Sequence, residues 1–525
     1  MRLPLSVKSV TRRSFLLAAG ALLALVPLPW RRARAQGSSL NALPREALVI
    51  GNSKYAEVPL KNPGNDARAI AGQLKAAGFN VTLKLDTGRE ELAAALQAFT
   101  AELAKKKCVG LFYYAGHGAQ LAWRNYLIPV DAVIEKLDDI QSKAVDLGTL
   151  LGGLTRAANP MNVVILDACR DNPFGNRVPA DRKGLSQFDA PPGSLLAYAT
   201  APGNVASDGE GANGLYTENL LKELTAQDAK IEDVFKRVRL SVRRRTEGKQ
   251  IPWESTSLEE DFYFLPPKQV RKLAEAELEK HFQEELAIWE KIKTATQPAP
   301  LEDYLRRYPS GKFSELAQYR LDQVLAKLGE KKIEAESAKD NPFTKGVARI
   351  DTDYRIGDTY VFRDLDLYTR NETGKARLVV QEITETEVRF QNGVVTDLFG
   401  NVIMAGKGHR YTGAQFFIPE YAIGKRWRTQ FRVSYPQGGD GDNNLDFRVT
   451  RREPVRVPAG AFDAFKVEGE GWGTLPGGGG SMHSTFTYWI APGVRRPIAN
   501  ETLNRHSNGK VLQSNRRELV AYTQG

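Results

Sequence analysis

Two short strings about 50 residues apart carry side chains able to do covalent chemistry: Tyr113-Tyr114-Ala115-Gly116-His117-Gly118 and Ile165-Leu166-Asp167-Ala168-Cys169-Arg170-Asp171. His117 is the one histidine between Arg45 and Leu265. An imidazole can serve as general base and then general acid, and a thiol that it deprotonates can attack a carbonyl carbon. His117 and Cys169 together are therefore the minimum machinery for thiol-based peptide cleavage. Asp167, two residues before the thiol, and Asp66, beyond the first apolar run, add two carboxylates, a pair suited to a guanidinium or an ammonium group. Asp66 has a simpler reading too, as a helix N-cap before Ala67-Arg68-Ala69.

These groups need a scaffold that brings them together. Each string follows an apolar run, Val109-Gly110-Leu111-Phe112 and Val163-Val164-Ile165-Leu166, of the kind that forms a buried parallel strand. The helix-length segment Leu147–Ala157 lies between them, so the strands can pair through a right-handed crossover. In an open α/β sheet, chemistry gathers at the carboxyl ends of the strands, where His117 and Cys169 fall. The alternation extends both ways. Strand Ala47–Asn52, helix Asp66–Ala77, strand Phe79–Leu85 and helix Glu90–Lys105 come before, and strand Ser194–Ala199, helices Leu215–Leu224 and Ile231–Arg245, and strand Phe262–Leu265 come after. The pattern predicts a doubly wound, mostly parallel α/β/α sandwich.

Read together with Ala47-Leu48-Val49-Ile50-Gly51-Asn52, Asn65-Asp66-Ala67, Tyr126-Leu127-Ile128-Pro129-Val130-Asp131, Leu196-Ala197-Tyr198-Ala199-Thr200-Ala201-Pro202-Gly203 and Asp261-Phe262-Tyr263-Phe264, these strings resemble the caspase-type cysteine peptidases. They are most similar to the metacaspase-like and paracaspase-like bacterial branch, over residues 45–265. The resemblance implies a caspase-like fold in which His117 is the base, Cys169 the nucleophile, and the backbone N–H groups of Gly118 and Cys169 the oxyanion hole. It implies that Asp66 and Asp167 select Arg or Lys before the scissile bond, so the partners would be protein or peptide substrates carrying those residues. Ala115 stands where many metacaspases have serine. Acids that bind calcium in metacaspases are matched in part by Asp131, Asp138 and Asp139, but Asn176 occupies a position where a further acid belongs. No cofactor and no metal ligand is assigned on that basis. Caspases are commonly split beyond the nucleophile strand. The loop after Cys169 holds Arg170, Arg177, Arg182 and Lys183, so a self-generated nick is expected within Arg177–Lys183. The rival reading is a non-proteolytic scaffold of the same fold, and a cysteine hydrolase of another bond is a weaker one.

The 525 residues are too many for one core. Pro266-Pro267 closes the first domain. Leu278, Phe282, Leu286, Trp289 and Ile292, then Phe313, Ala317, Leu321, Val324 and Leu328, recur at helical spacing on either side of Tyr308-Pro309-Ser310-Gly311. They predict a two-helix hairpin within 268–336. From 342 to 525 the period is two, as in Phe431/Val433/Tyr435, which predicts an antiparallel β sandwich or half-barrel that could bind an envelope partner. Within it Asp440, Asp442, Asn444 and Asp446 alternate like calcium ligands. Leu445 replaces the turn glycine, however, and no glutamate closes the loop, so the run reads as a polar hairpin tip.

Net charge is +11, but residues 1–35 hold seven basic residues and no acid, and without them the chain carries only +4. That balance argues against a nucleic-acid partner. Those 35 residues contain Thr11-Arg12-Arg13-Ser14-Phe15-Leu16, an apolar stretch to Trp30, and Ala33-Arg34-Ala35. They read as a twin-arginine signal peptide cleaved before Gln36, which would deliver the protein to a bacterial periplasm. Cys108 and Cys169, the only cysteines, fall at opposite ends of adjacent parallel strands, too far apart for a disulfide. Cys108 is then a core thiol and Cys169 the working one. The basic run Lys236, Arg237, Arg239, Arg243, Arg244 and Arg245 reads as a solvated helix face.

Overall fold

From Glu46 to Gly51 every residue of the first strand, Arg45–Gly51 (β1), is buried, as a strand covered by helices on both faces must be. A computed structural model describes residues 40–169, 174, 178, 184–201, 211–258, 260–267, 275–330, 341 and 347–525. The twin-arginine segment, Asn176 and the Arg177–Lys183 nick region lie outside the described residues, as does the side chain of Cys169. After β1 come α1 (Pro63–Ala76), β2 (Asn80–Leu85), α2 (Arg89–Lys106), β3 (Val109–Leu121), β4 (Arg124–Leu127), α3 (Leu137–Lys143), β5 (Val145–Asp146), α4 (Leu147–Ala157) and β6 (Met161–Cys169). Then β7 (Ser194–Tyr198), α5 (Leu215–Leu224), α6 (Ile231–Arg245) and β8 (Trp253–Thr256) complete the layer.

The sheet order is β2-β1-β3-β6-β7-β8, parallel as far as β7. Only β8, on the edge, is antiparallel in that row. Helices α1, α5 and α6 cover one face through Ala67, Ile70, Leu220 and Val234; α2 and α4 cover the other through Leu92, Leu96, Leu150 and Leu154. This is the mostly parallel α/β/α sandwich that the alternation predicted.

The closing strand is a correction. Residues 262–265 make single bridges only, while β8 takes the edge of the sheet. Phe262 and Phe264 are buried and bind back to the start of β1. The Arg45 guanidinium lies 4.9 Å from the Phe262 ring centre and donates to the Phe264 carbonyl at 2.8 Å. β8 shows no inside–outside alternation, all four residues being half-buried, so its pattern carries no strand signal.

Where a two-helix hairpin was expected, the described residues form three helices, α7 (Glu275–Ile292), α8 (Pro298–Arg307) and α9 (Ser314–Lys327). The unexpected α8 starts on Pro298. A proline in the first turn gives up an N–H that has no helical partner there anyway. The basic face of α6 is corrected in part: Arg244 and Arg245 stay exposed, but part of the face docks this helical module. Arg243 pairs with Asp322 at 2.5 Å and Glu330 at 2.7 Å, Arg244 with Glu302 at 3.5 Å, and Lys236 donates to Ser310 at 2.9 Å. Leu240, between those charges, joins the apolar cluster of Phe282, Trp289, Leu301 and Tyr304.

The C-terminal domain is a closed antiparallel barrel, not a sandwich or half-barrel. Its first strand, Thr359–Asp366, pairs with its last, Val511–Thr523, from Thr359↔Thr523 onward. Along Asp440–Val457, Leu445, Phe447 and Val449 are buried while Asp442, Asp446 and Arg448 are exposed. Apolar inside and polar outside is the reverse of an outer-membrane strand. The acidic run is no hairpin tip either: Asp442 and Asp446 lie in the ladder and pair with Arg432 (2.7 Å) and Arg428 (2.6 Å).

Candidate active site

β3 outruns its pairing with β1, which ends at Gly51↔Ala115, and its far half folds back through β4. In the β3–β6 ladder the last two pairs are Gly116↔Ala168 and His117↔Cys169. The backbone of Cys169 therefore stands directly across from that of His117 at the carboxyl edge of the sheet.

His117 is buried, and its Nε2 lies 2.7 Å from the Val58 carbonyl oxygen. A carbonyl oxygen only accepts, so Nε2 carries the proton and Nδ1 is the basic nitrogen of the neutral ring. The Tyr55 ring packs against the imidazole with centroids 4.3 Å apart. Two buried phenols brace the peptide on either side of this residue. The His117 N–H donates to Tyr55 Oη at 2.9 Å, and Tyr114 Oη donates to the His117 carbonyl at 2.9 Å. Both hydroxyls also reach the Ile128 carbonyl, at 3.1 and 3.0 Å. Gly116 is required between them. Its φ is +155°, and a Cβ would sit 2.6 Å from Tyr55 Oη and 2.9 Å from Tyr114 Oη. Gly118 is confined as well, since a Cβ there would lie 3.2 Å from both Ala168 Cβ and Leu185 Cδ2.

Asp66 does not cap its own helix. Asn62 holds that position, and the Asp66 N–H bonds to the Asn62 carbonyl at 2.9 Å inside the first turn. The Asp66 carboxylate, 3% exposed, instead accepts from Asn213 Nδ2 at 2.8 Å and from the Gly214 N–H at 2.9 Å, at the start of α5. Asp167 is half-buried. Its Oδ2 accepts from Thr217 Oγ1 at 2.7 Å and lies 3.5 Å from Tyr113 Oη, which is itself 2.6 Å from Thr217 Oγ1. Burial first, then the charges of Asp167 and Asp66, hold the Tyr113 hydroxyl protonated well above the usual phenol range. Both acids thus accept hydrogen bonds from the start of one helix, Asp66 from its N-cap and Asp167 from its first turn.

Cys108 is fully buried, and burial pushes its thiol up to about 11, which leaves it inert as a nucleophile. The acids matched to calcium ligands are used otherwise. Asp131 accepts from the Arg89 N–H at the head of α2 (3.0 Å), Asp139 from the N–H groups of Glu135 and Lys136 ahead of α3 (2.9 and 3.2 Å), and Asp138 is exposed. Among the described residues no group of three or more His, Cys, Asp or Glu side chains is placed to hold a metal ion. Tyr55, Tyr113, Tyr114, Asn213 and Thr217 escape a reading of the sequence. Buried-strand tyrosines look like core, and the partners of Asn213 and Thr217 lie 147 and 50 residues away.

A buried imidazole with Nδ1 as its unprotonated nitrogen therefore stands across one strand pair from the backbone of a cysteine, and two carboxylates share a neighbouring helix end. This arrangement can attack a carbonyl next to a cationic side chain. Residues 44–263 match the family model described as the caspase domain. Over 230 residues, 42% of this chain, the sequence is 29% identical to the mucosa-associated lymphoid tissue lymphoma translocation protein 1 of Homo sapiens, covering 27% of that protein. Over 190 residues, 35% of this chain, it is 30% identical to the Mus musculus homolog, covering 22% of it. The chain thus spans about a quarter of the length of these curated relatives.

Proposed function

Because residues 44–263 match the caspase-domain model, we propose that the chain is a caspase-like cysteine endopeptidase that cuts proteins or peptides after Arg or Lys. His117 Nδ1 takes the proton of the Cys169 thiol, and the thiolate attacks the scissile carbonyl. The N–H groups of Gly118 and Cys169 receive the oxyanion, and His117 then protonates the leaving amine. Asp66 and Asp167 receive the cation of the residue before the cut. The observation that carries this reading is that Asp66 and Asp167 both accept hydrogen bonds from the start of α5, beside the strand pair that sets His117 opposite Cys169. Export through the twin-arginine segment would place the activity in a periplasm, and the barrel's polar outer face would be the site for an envelope partner.

The mature chain, assayed against fluorogenic peptides ending in Arg, Lys or Asp, tests this directly. Turnover after Arg and Lys, absent after Asp and abolished in Cys169→Ala and His117→Ala, is the expected result. Turnover surviving in Cys169→Ala, or efficient cleavage after Asp, would overturn it. No turnover of any peptide would favour a non-proteolytic scaffold.

A further inference from the structure

Asp167 does not stand alone at the end of β6. Thr217 and Tyr113 are both fully shielded from solvent, so their hydroxyl protons must be donated within the protein. A carboxylate only accepts. Thr217 Oγ1 therefore donates to Asp167 Oδ2 across 2.7 Å, and Tyr113 Oη, 2.6 Å behind, donates to Thr217 Oγ1. The donors form a one-way relay from Tyr113 through Thr217 to Asp167. Just ahead of that helix turn, Asn213 and the Gly214 N–H donate to Asp66.

We propose that Thr217 is a positioning residue for the basic side chain of the substrate, holding the Asp167 carboxylate in the orientation and charge state that receive a cation. This rests on the reading that Asp66 and Asp167 form the specificity pocket. Thr217 itself touches no substrate and acts through Asp167. A buried hydroxyl with a merely structural role would affect folding alone. A positioning role has further signatures, because a donor to the ionised form stabilises that form. Without the Thr217 hydroxyl, Asp167 takes up a proton more readily, so the acid limb of the pH profile moves upward.

The test uses the full mature chain with Thr217→Val, which keeps the shape and loses the hydroxyl, and Thr217→Ser, which restores it. Two readouts are taken: steady-state kinetics on an Arg-ending peptide, and calorimetric binding of benzamidine, a planar cation with no scissile bond. Thr217→Val should raise KM and weaken benzamidine by about tenfold, the scale of one lost hydrogen bond to a charged group, with kcat within about twofold. Its acid limb should move to higher pH, and Thr217→Ser should return all three to wild type. A folded Thr217→Val with unchanged KM, benzamidine affinity and acid limb would overturn the inference, as would equal losses in Thr217→Ser. A wild type that binds benzamidine but cuts no Arg peptide would sink the peptidase reading and leave the relay to be decided by binding alone. A wild type that binds no benzamidine would sink the pocket and the relay together.

Discussion

In the α/β layer the acids Asp66 and Asp167 accept from groups 147, 148 and 50 residues away in the chain, at the head of α5. In the barrel the buried Asp397 accepts from the N–H groups of Phe399 and Asn401 (2.9 and 2.8 Å) and from Asn401 Nδ2 (2.8 Å), all within four residues. The same side chain thus serves two ends. Local donors make Asp397 the staple of a single turn, closed in on itself, and burial pushes it up to about 6. Distant donors hold Asp167 half-buried at a strand end. Glycines divide the same way. A Cβ on Gly116 would strike the hydroxyls that brace His117, whereas a Cβ on Gly469 would strike the Phe447 ring in the barrel core.

The largest effect should come from the glycine pair. Gly116→Ala pushes Tyr55 and Tyr114 off the His117 peptide and should lower kcat/KM by two to three orders of magnitude, the cost of misplacing a catalytic group by about 1 Å or losing a preorganised donor. Gly469→Ala should destabilise the barrel by about 1–3 kcal/mol through overpacking, with peptidase kinetics unchanged. Kinetics and thermal melts on both variants separate the two regions, and wild-type turnover in Gly116→Ala would erase the contrast.

The acid pair is probed through pH. An acid whose folded pKa lies above its unfolded value favours the folded state while protonated. That contribution is full below about pH 4, in the ordinary carboxyl range, and is lost as pH rises through the folded value. With Asp397 at about 6, the stability of wild type relative to Asp397→Asn should fall by about 2 kcal/mol between pH 4 and pH 7. Denaturant titrations at several pH values measure it, and a constant difference would mean that Asp397 is no more enclosed than Asp167.

Tyr55→Phe sharpens the picture of the base. It removes the acceptor of the His117 N–H but keeps the ring that stacks on the imidazole, so kcat should fall about tenfold with KM nearly unchanged. An unaltered kcat would assign the bracing to Tyr114 alone. The smallest expected effect lies at the seam between the layer and its appendages. A double-mutant cycle of Arg243→Ala and Asp322→Ala should report a coupling of about 1 kcal/mol, shrinking with added salt, because both partners are only partly exposed. A coupling of zero would return the α6 face to the solvated surface that its composition suggests.

Much of the layer was legible because hydrophobic periodicity is a local signal. Helices α5 and α6 fall at Leu215–Leu224 and Ile231–Arg245, as the spacing of Leu220, Leu224, Val234, Val238 and Val242 demands. The one histidine of residues 45–265, the strand-end cysteine and the two acids were legible for a similar reason, since their residue types are rare or chemically marked and each follows an apolar run. Period two inside a buried parallel strand is uninformative about layers, because both faces are apolar. Tyr113, which faces α5, and Tyr114, which faces β4, therefore look alike in sequence.

What the sequence by itself determined is the alternation of strands and helices, the edge at which His117 and Cys169 gather, and the chemical kind of each group there. Tertiary structure alone decided who holds whom: Asp66 with Gly214, Thr217 with Asp167, Arg243 with Asp322, and Thr359 with Thr523 in the closing of the barrel. The reason is physical. Burial patterns are written in residues three or four apart in a helix and two apart in a strand. A polar group's partner is any complementary group that the packed layers bring within about 3 Å, however distant it is along the chain.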